Sequence, residues 1–201
     1  MDKKRPTPID QPVKWDETQT IVSKADLFGS LEYVNETFAS VSGYDESELI
    51  GQPHNIIRHP DMPKVIFKVL WDNISKGKKF HGVIKNLAKS GKYYWVITDF
   101  DYVVSDDAKI LKYVARRKAV SPGVVKKVDE LYKKLYKIEE VSGIEGSEKY
   151  LIGYLEDHNL DYVELITKLM MDDLNQQVEL ESTTEEVEET KKSFFGRFFG
   201  N

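Results

Sequence analysis

The 201-residue chain contains no cysteine. Disulfides, thiolate metal sites and a cysteine nucleophile are therefore excluded. Histidine is scarce too: the four, His54, His59, His81 and His158, are scattered with no metal-ligand spacing. No run of about 18 apolar residues occurs, and the opening MDKKRPTPID lacks the apolar core of a signal peptide, which points to a cytoplasmic protein. Neither a nucleophile–base pair nor a phosphate-binding loop is present, so a non-enzymatic role is expected.

What charge there is lies unevenly. The net charge is −5. Residues 108–137 carry ten Lys/Arg against Asp129 and Glu130, a balance of +8, whereas residues 138–190 carry sixteen Asp/Glu against Lys149 and Lys168, a balance of −14. Two readings stand: the blocks dock on each other or on partner proteins, or they are two solvated faces. The basic stretch is short and an acidic one follows it, so nucleic-acid binding is disfavoured.

The most informative segment is GQPHNIIRHPDMP, residues 51–63. It sets Arg58, His59 and Asp61 within four residues, between Pro53, Pro60 and Pro63. Proline fixes its own φ and biases the residue before it away from the helical region. The result is a stiff connection presenting a cation, an imidazole and a carboxylate, suited to an anionic or hydrogen-bonding ligand.

Around it, residues 1–19 with Pro6, Pro8 and Pro12 read as an arm. Two short apolar runs between Thr20 and Val34 flank a turn at 26–29, a strand–turn–strand signal. Asn35 stands as N-cap of a short helix, and 45–48 has the spacing of a capping box. A longer helix follows, with Asp61 as its expected cap, Pro63 in its first turn and Gly77 as its stop. Residues 80–87, 93–104 and 110–118 read as three hairpin-connected strands. Residues 20–120 thus form an α+β domain, one sheet face covered by helices. A linker helix at 121–141 carries a seam of Val124, Val128, Leu131, Leu135 and Ile138, which packs on the domain or on a second copy. A helical segment at 147–181 puts Val163, Ile166, Met170, Leu174 and Val178 on one face. The tail, 182–201, is acidic, then basic and aromatic. Its Phe194, Phe195, Phe198 and Phe199 suit a weak membrane contact or a partner's groove.

NETF at Asn35, SGY at Ser42, GQPHN at Gly51, RHPDMP at Arg58, Leu70-Trp71, Lys85-Asn86 and Tyr94-Trp95-Val96 together resemble the flavin-binding PAS domain of bacterial aerotaxis (energy-taxis) receptors. The resemblance implies a PAS fold: a five-stranded antiparallel sheet with short helices on one face, here followed by C-terminal helices. It also implies an FAD pocket that reports redox state or oxygen to a membrane chemoreceptor or other signalling protein. Residue by residue it assigns the pocket to Asn35, Arg58, His59, Asp61, Phe67, Trp71 and Asn86. Asn86 offers donor and acceptor to a flavin edge, and Arg58 suits a pyrophosphate. Asp61 serves equally well as a helix cap, and Phe67 and Trp71 as core residues. A cofactor-free dimerisation or scaffold module and a haem sensor using His59 are the competing readings. The chain departs from the family pattern at Phe80 and Leu87, and Asp99 and Asp101 add carboxylates to a strand that is usually small or apolar there.

Overall fold

The computed structural model describes residues 5–199, with side chains as far as Leu180. The four tail phenylalanines lie outside the described side chains. Strands β1 (Ile21–Ala25) and β2 (Leu31–Val34) are followed by helices α1 (Glu36–Ser42) and α2 (Glu46–Leu49), a 3-10 turn at His54–Ile57, and helix α3 (Lys64–Ile74). Strands β3 (Phe80–Leu87), β4 (Tyr93–Val104) and β5 (Ile110–Ala119) lead into α4 (Pro122–Asp157) and α5 (Tyr162–Phe199). The strands form one antiparallel sheet in the order β2-β1-β5-β4-β3.

Register decides which side chains face the helices. Thr98 pairs with Arg117, Phe100 with Ala115, and Ser23 with Ala115, so these residues share a face. Val96, Thr98 and Phe100 are buried on that inner face, while Asp99 between them is exposed. Asp101 also turns outward, towards Lys79 (3.7 Å) and Arg116 (3.8 Å). The two carboxylates that break the family pattern therefore lie on the outer face. Phe80 and Leu87 are both buried, and Phe80 stacks on Tyr162 of α5 at 5.3 Å.

Asn35 ties α1 to β1. Its Oδ1 accepts from the backbone N–H of Phe38 (3.0 Å) and Val22 (2.9 Å), and its Nδ2 donates to the Thr20 carbonyl (2.8 Å). The capping box expected at 45–48 is present, with Glu48 accepting from the Asp45 N–H. The expected cap of α3 is not Asp61. Pro63 occupies the cap position and supplies no side-chain hydrogen bond. The turn closed by the Met62 N–H on the His59 carbonyl directs Asp61 to Lys85 instead (3.2 Å).

The N-terminal arm is docked. The Ile9 N–H donates to the Gly91 carbonyl, and Gln11 and Val13 bond to Tyr93. Gly91 permits this approach, because a Cβ there would sit 2.3 Å from the Thr7 carbonyl oxygen.

Helix α4 packs its seam on the domain, burying Val124, Val128, Leu131, Tyr132 and Leu135, with the Tyr132 ring 6.3 Å from that of Trp95 on β4. The Tyr132 hydroxyl donates to the Val83 carbonyl (2.8 Å) and meets the Tyr162 hydroxyl. At Gly143 the helix is interrupted by a non-helical residue (φ 69°). The helical segment expected at 147–181 is divided: its first part belongs to α4, and α5 begins only at Tyr162, after a turn containing Asn159 at φ 53°. Of its expected stripe, Ile166 is buried, but Met170, Leu174 and Val178 are exposed. Ion pairs of the basic block run to Glu32, Asp101, Asp107 and Asp129. No helix among the described residues is long and apolar enough to cross a membrane.

Candidate functional site

A cavity of about 280 Å³ lies between the inner sheet face, the 3-10 turn and α3. Its walls are mostly apolar, among them Ile57, Phe67, Leu70, Ile84 and Phe100. Phe28, 92 % exposed, and Trp71, edge-on to Tyr113 at 5.4 Å, are lining residues that also reach solvent.

The polar groups in this cavity are unusual in being incompletely matched. Arg58 Nε, Asn86 Nδ2 and Thr98 Oγ1 are buried, line the cavity and have no hydrogen-bond partner among the described residues. A buried polar atom without a partner costs about 1–3 kcal/mol, so three converging on one cavity point to a ligand that satisfies them. Arg117, 1 % exposed, is the second cation there. It donates to Ser23 Oγ (3.1 Å) and His54 Nε2 (2.5 Å), all neutral partners, and burial holds its pKa down to about 10. His54 is driven well below the usual histidine range, by burial first and by the Arg117 and Arg58 charges second. It stays neutral, with Nε2 as the acceptor. Among the described residues, no aspartate or glutamate lines the cavity. Two guanidiniums facing an acid-free interior select for an anionic or strongly accepting ligand.

Arg58 is held by its own surroundings. Its guanidinium lies 3.6 Å from the Phe67 ring centroid, and its backbone bridges Asn86 on the edge strand β3. Adjacent residues of such an edge segment point to opposite sides. Accordingly Arg58 faces the cavity and His59 faces away, packed edge-on against Tyr93 (6.5 Å) with Nδ1 accepting from the Asp61 N–H. His59 is depressed by burial and by Lys85, against the opposing pull of Asp61.

Of the seven residues assigned from the sequence, Arg58, Phe67, Trp71 and Asn86 line this cavity together. His59 and Asp61 line a second one of about 680 Å³, beneath α4 and the N-terminal arm. Asn35 lines neither, and its amide is spent on the α1 cap. Sequence reasoning passed over Ser23, His54, Thr98 and Arg117. Alternation along β5, with Tyr113, Ala115 and Arg117 on one face, was the signal available for Arg117.

Comparison with known proteins agrees with this architecture. Residues 31–116 match the family model described as the PAS fold. This region has the PAS fold. The chain is 41% identical to the aerotaxis receptor of Escherichia coli K12 over 116 residues, which cover 58% of this chain and 23% of the receptor. It is 22% identical to a nitrogen fixation regulatory protein of Klebsiella pneumoniae, covering 53% of this chain and 21% of that one. The chain thus spans less than a quarter of the length of these relatives. Among solved structures, the light state of the blue-light photoreceptor Aureochrome1 LOV superposes with a TM-score of 0.50 at 20% identity, over 55% of this chain and 89% of that one. A light-oxygen-voltage domain studied with a flavin analogue gives 0.51, also at 20%, over 58% and 89%. The PAS domain is thus related to receptors and regulators, and its fold is that of the light-oxygen-voltage domains.

Proposed function

We propose that this PAS domain binds a flavin, FAD in the family it resembles, and reports the flavin's redox state to a signalling partner. The observation that carries this reading is the set of unpartnered polar atoms, Arg58 Nε, Asn86 Nδ2 and Thr98 Oγ1, on an otherwise apolar cavity that also holds Arg117. An isoalloxazine is a flat apolar surface with a hydrogen-bonding edge, and the cavity pairs aliphatic and aromatic walls with a few polar groups in the same way. A bound flavin supplies reversible electron transfer, which changes the charge at that edge.

The protein's own residues account for the rest. Asn86 presents an amide that donates or accepts, so it suits either protonation state of a ring nitrogen or oxygen. Thr98 contributes a rotatable hydroxyl. Arg117 is a cation without a carboxylate, so it favours a ligand that becomes more negative on reduction. Neutral His54 holds that guanidinium in place without cancelling its charge. Arg58 binds an acceptor oxygen or a phosphate from the side of the 58–63 connection. The absence of cysteine removes thiol-adduct photochemistry. The relatives named above are receptors and regulators, which supports a signalling role over a catalytic one.

The reading is tested by the absorption spectrum of freshly purified full-length protein. The expected result is the two-banded yellow spectrum of a flavin, bleached by dithionite. A Soret band would replace flavin with haem, and a colourless folded protein that ignores added FAD would leave a scaffold domain.

A further inference from the structure

Helix α3 carries Phe67, Leu70, Trp71 and Ile74 along one wall of the cavity, yet nothing near it in sequence caps its N-terminus. Pro63 at the cap position has no acceptor side chain, and the Asp61 carboxylate is engaged with Lys85. The cap comes from 74 and 75 residues away. Glu139 of α4 accepts from the Val65 N–H through one oxygen (2.7 Å) and from the Lys64 N–H through the other (2.9 Å). A carboxylate on the first free N–H groups of a helix satisfies donors that otherwise go unpaired and complements the positive end of the helix dipole. Glu139 lies beyond the PAS match at 31–116 and four residues before the break at Gly143.

We propose that Glu139 is a positioning residue of the cavity, setting where α3 begins and so coupling α4 to whatever the cavity holds. The coupling is reciprocal: a ligand that orders α3 tightens the seat of α4, and a seated α4 pre-orders the cavity wall for the ligand. The proline-bracketed segment Arg58–Pro63 ends where α3 starts, so the same contact also fixes the C-terminal end of this hook, whose residues 58–61 carry its polar side chains. A second link between these helices, Lys68 to Glu148 (2.6 Å), is solvent-exposed on the lysine side and is the natural control.

The first test needs no flavin. Amide hydrogen exchange is measured on the full chain, wild type against E139A, E139Q and E148Q. In E139A, exchange at Lys64 and Val65 is expected to rise about fivefold or more, the scale of a lost helix cap, with a smaller rise through 67–74. E139Q keeps one acceptor oxygen and should fall between, and E148Q should change less than about twofold. Unchanged exchange at Lys64 and Val65 overturns the proposal. A rise confined to those two amides, with wild-type rates at 67–74, overturns it as well, leaving an ordinary cap. Should E139A fail to fold, E139Q decides by the same criteria.

The second test rests on the flavin reading. FAD affinity is expected to drop about fivefold in E139A and less in E139Q, in proportion to the lost order of α3. Equal affinities in E139A and wild type contradict the coupling. A wild type that takes up no FAD removes the flavin reading, and the exchange rates then decide the role of Glu139 alone.

Discussion

Two cavities meet at the hook formed by residues 58–61, and they differ in the opposite way from their sizes. The outer one, at about 680 Å³, is the larger, but it is lined by charges of both signs, several of them paired. Lys85 bonds to Asp61 and lies 4.9 Å from the Tyr93 ring centroid, and Lys133 pairs with Asp129. The inner one, at about 280 Å³, is smaller, holds two guanidiniums and no acid, and leaves three buried polar atoms unpaired. Volume alone would favour the outer cavity over the one proposed for the flavin. Unmet hydrogen-bonding capacity and uncompensated charge are the grounds for proposing the inner one, because both cost stability until something satisfies them.

That contrast is open to direct attack. The largest effect is expected for R117M, which removes the buried cation and keeps an apolar side chain of similar length. FAD affinity, read by quenching of flavin fluorescence, should fall about 100-fold, since losing a buried charge-assisted contact costs on the order of 3 kcal/mol. The flavin-free protein should melt no earlier than wild type, because its unpaired buried charge is gone. N86A should follow with a loss of about tenfold, the scale of one good hydrogen bond. Next comes a pH effect on the flavin-free protein. Both His54 and His59 are depressed in the folded state, chiefly by burial, so below the ordinary histidine value the unfolded chain binds more protons. Stability should therefore fall as pH drops from about 7.5 to about 5.5, and H54Q should flatten that slope in thermal melts. The smallest effect is expected for K85M. Lys85 neighbours Asn86 but points to the outer cavity, so FAD affinity should change by no more than about twofold. Equal losses in N86A and K85M would erase the distinction between the two sides of β3.

The strand and helix plan was readable because its periodicities are clean. Alternation in 93–104 and the capping box at 45–48 both reappear in the structure. Arg58, Phe67, Trp71 and Asn86 were also readable, and they line one cavity. Arg117 was not, because Ala115-Arg116-Arg117-Lys118 reads as a solvated basic run. The alternation of Tyr113, Ala115 and Arg117 was the only hint, and the pairing of Thr98 with Arg117 shows that this face of the run is the buried one. His59 and Asp61 sit beside Arg58 in sequence but across the strand edge in space, a separation that a motif cannot express. Asp61 has the right spacing to cap α3, yet the turn at 59–62 aims it at Lys85, and the true cap arrives from Glu139. The break at Gly143 falls in the gap between the helices expected at 121–141 and 147–181, whereas the turn that separates α4 from α5 was hidden inside the second of them.

The central claim is that the orphaned atoms of the inner cavity are the flavin's hydrogen-bonding partners, and a crystal structure of the full-length protein grown with FAD addresses it most directly. The account predicts ring density between α3 and the sheet, with Asn86 Nδ2, Thr98 Oγ1 and Arg58 Nε at hydrogen-bonding distance from the flavin and the Arg117 guanidinium beside its polar edge. A cavity closed by the protein's own side chains, or a flavin seated in the outer cavity beside His59 and Asp61, would contradict it.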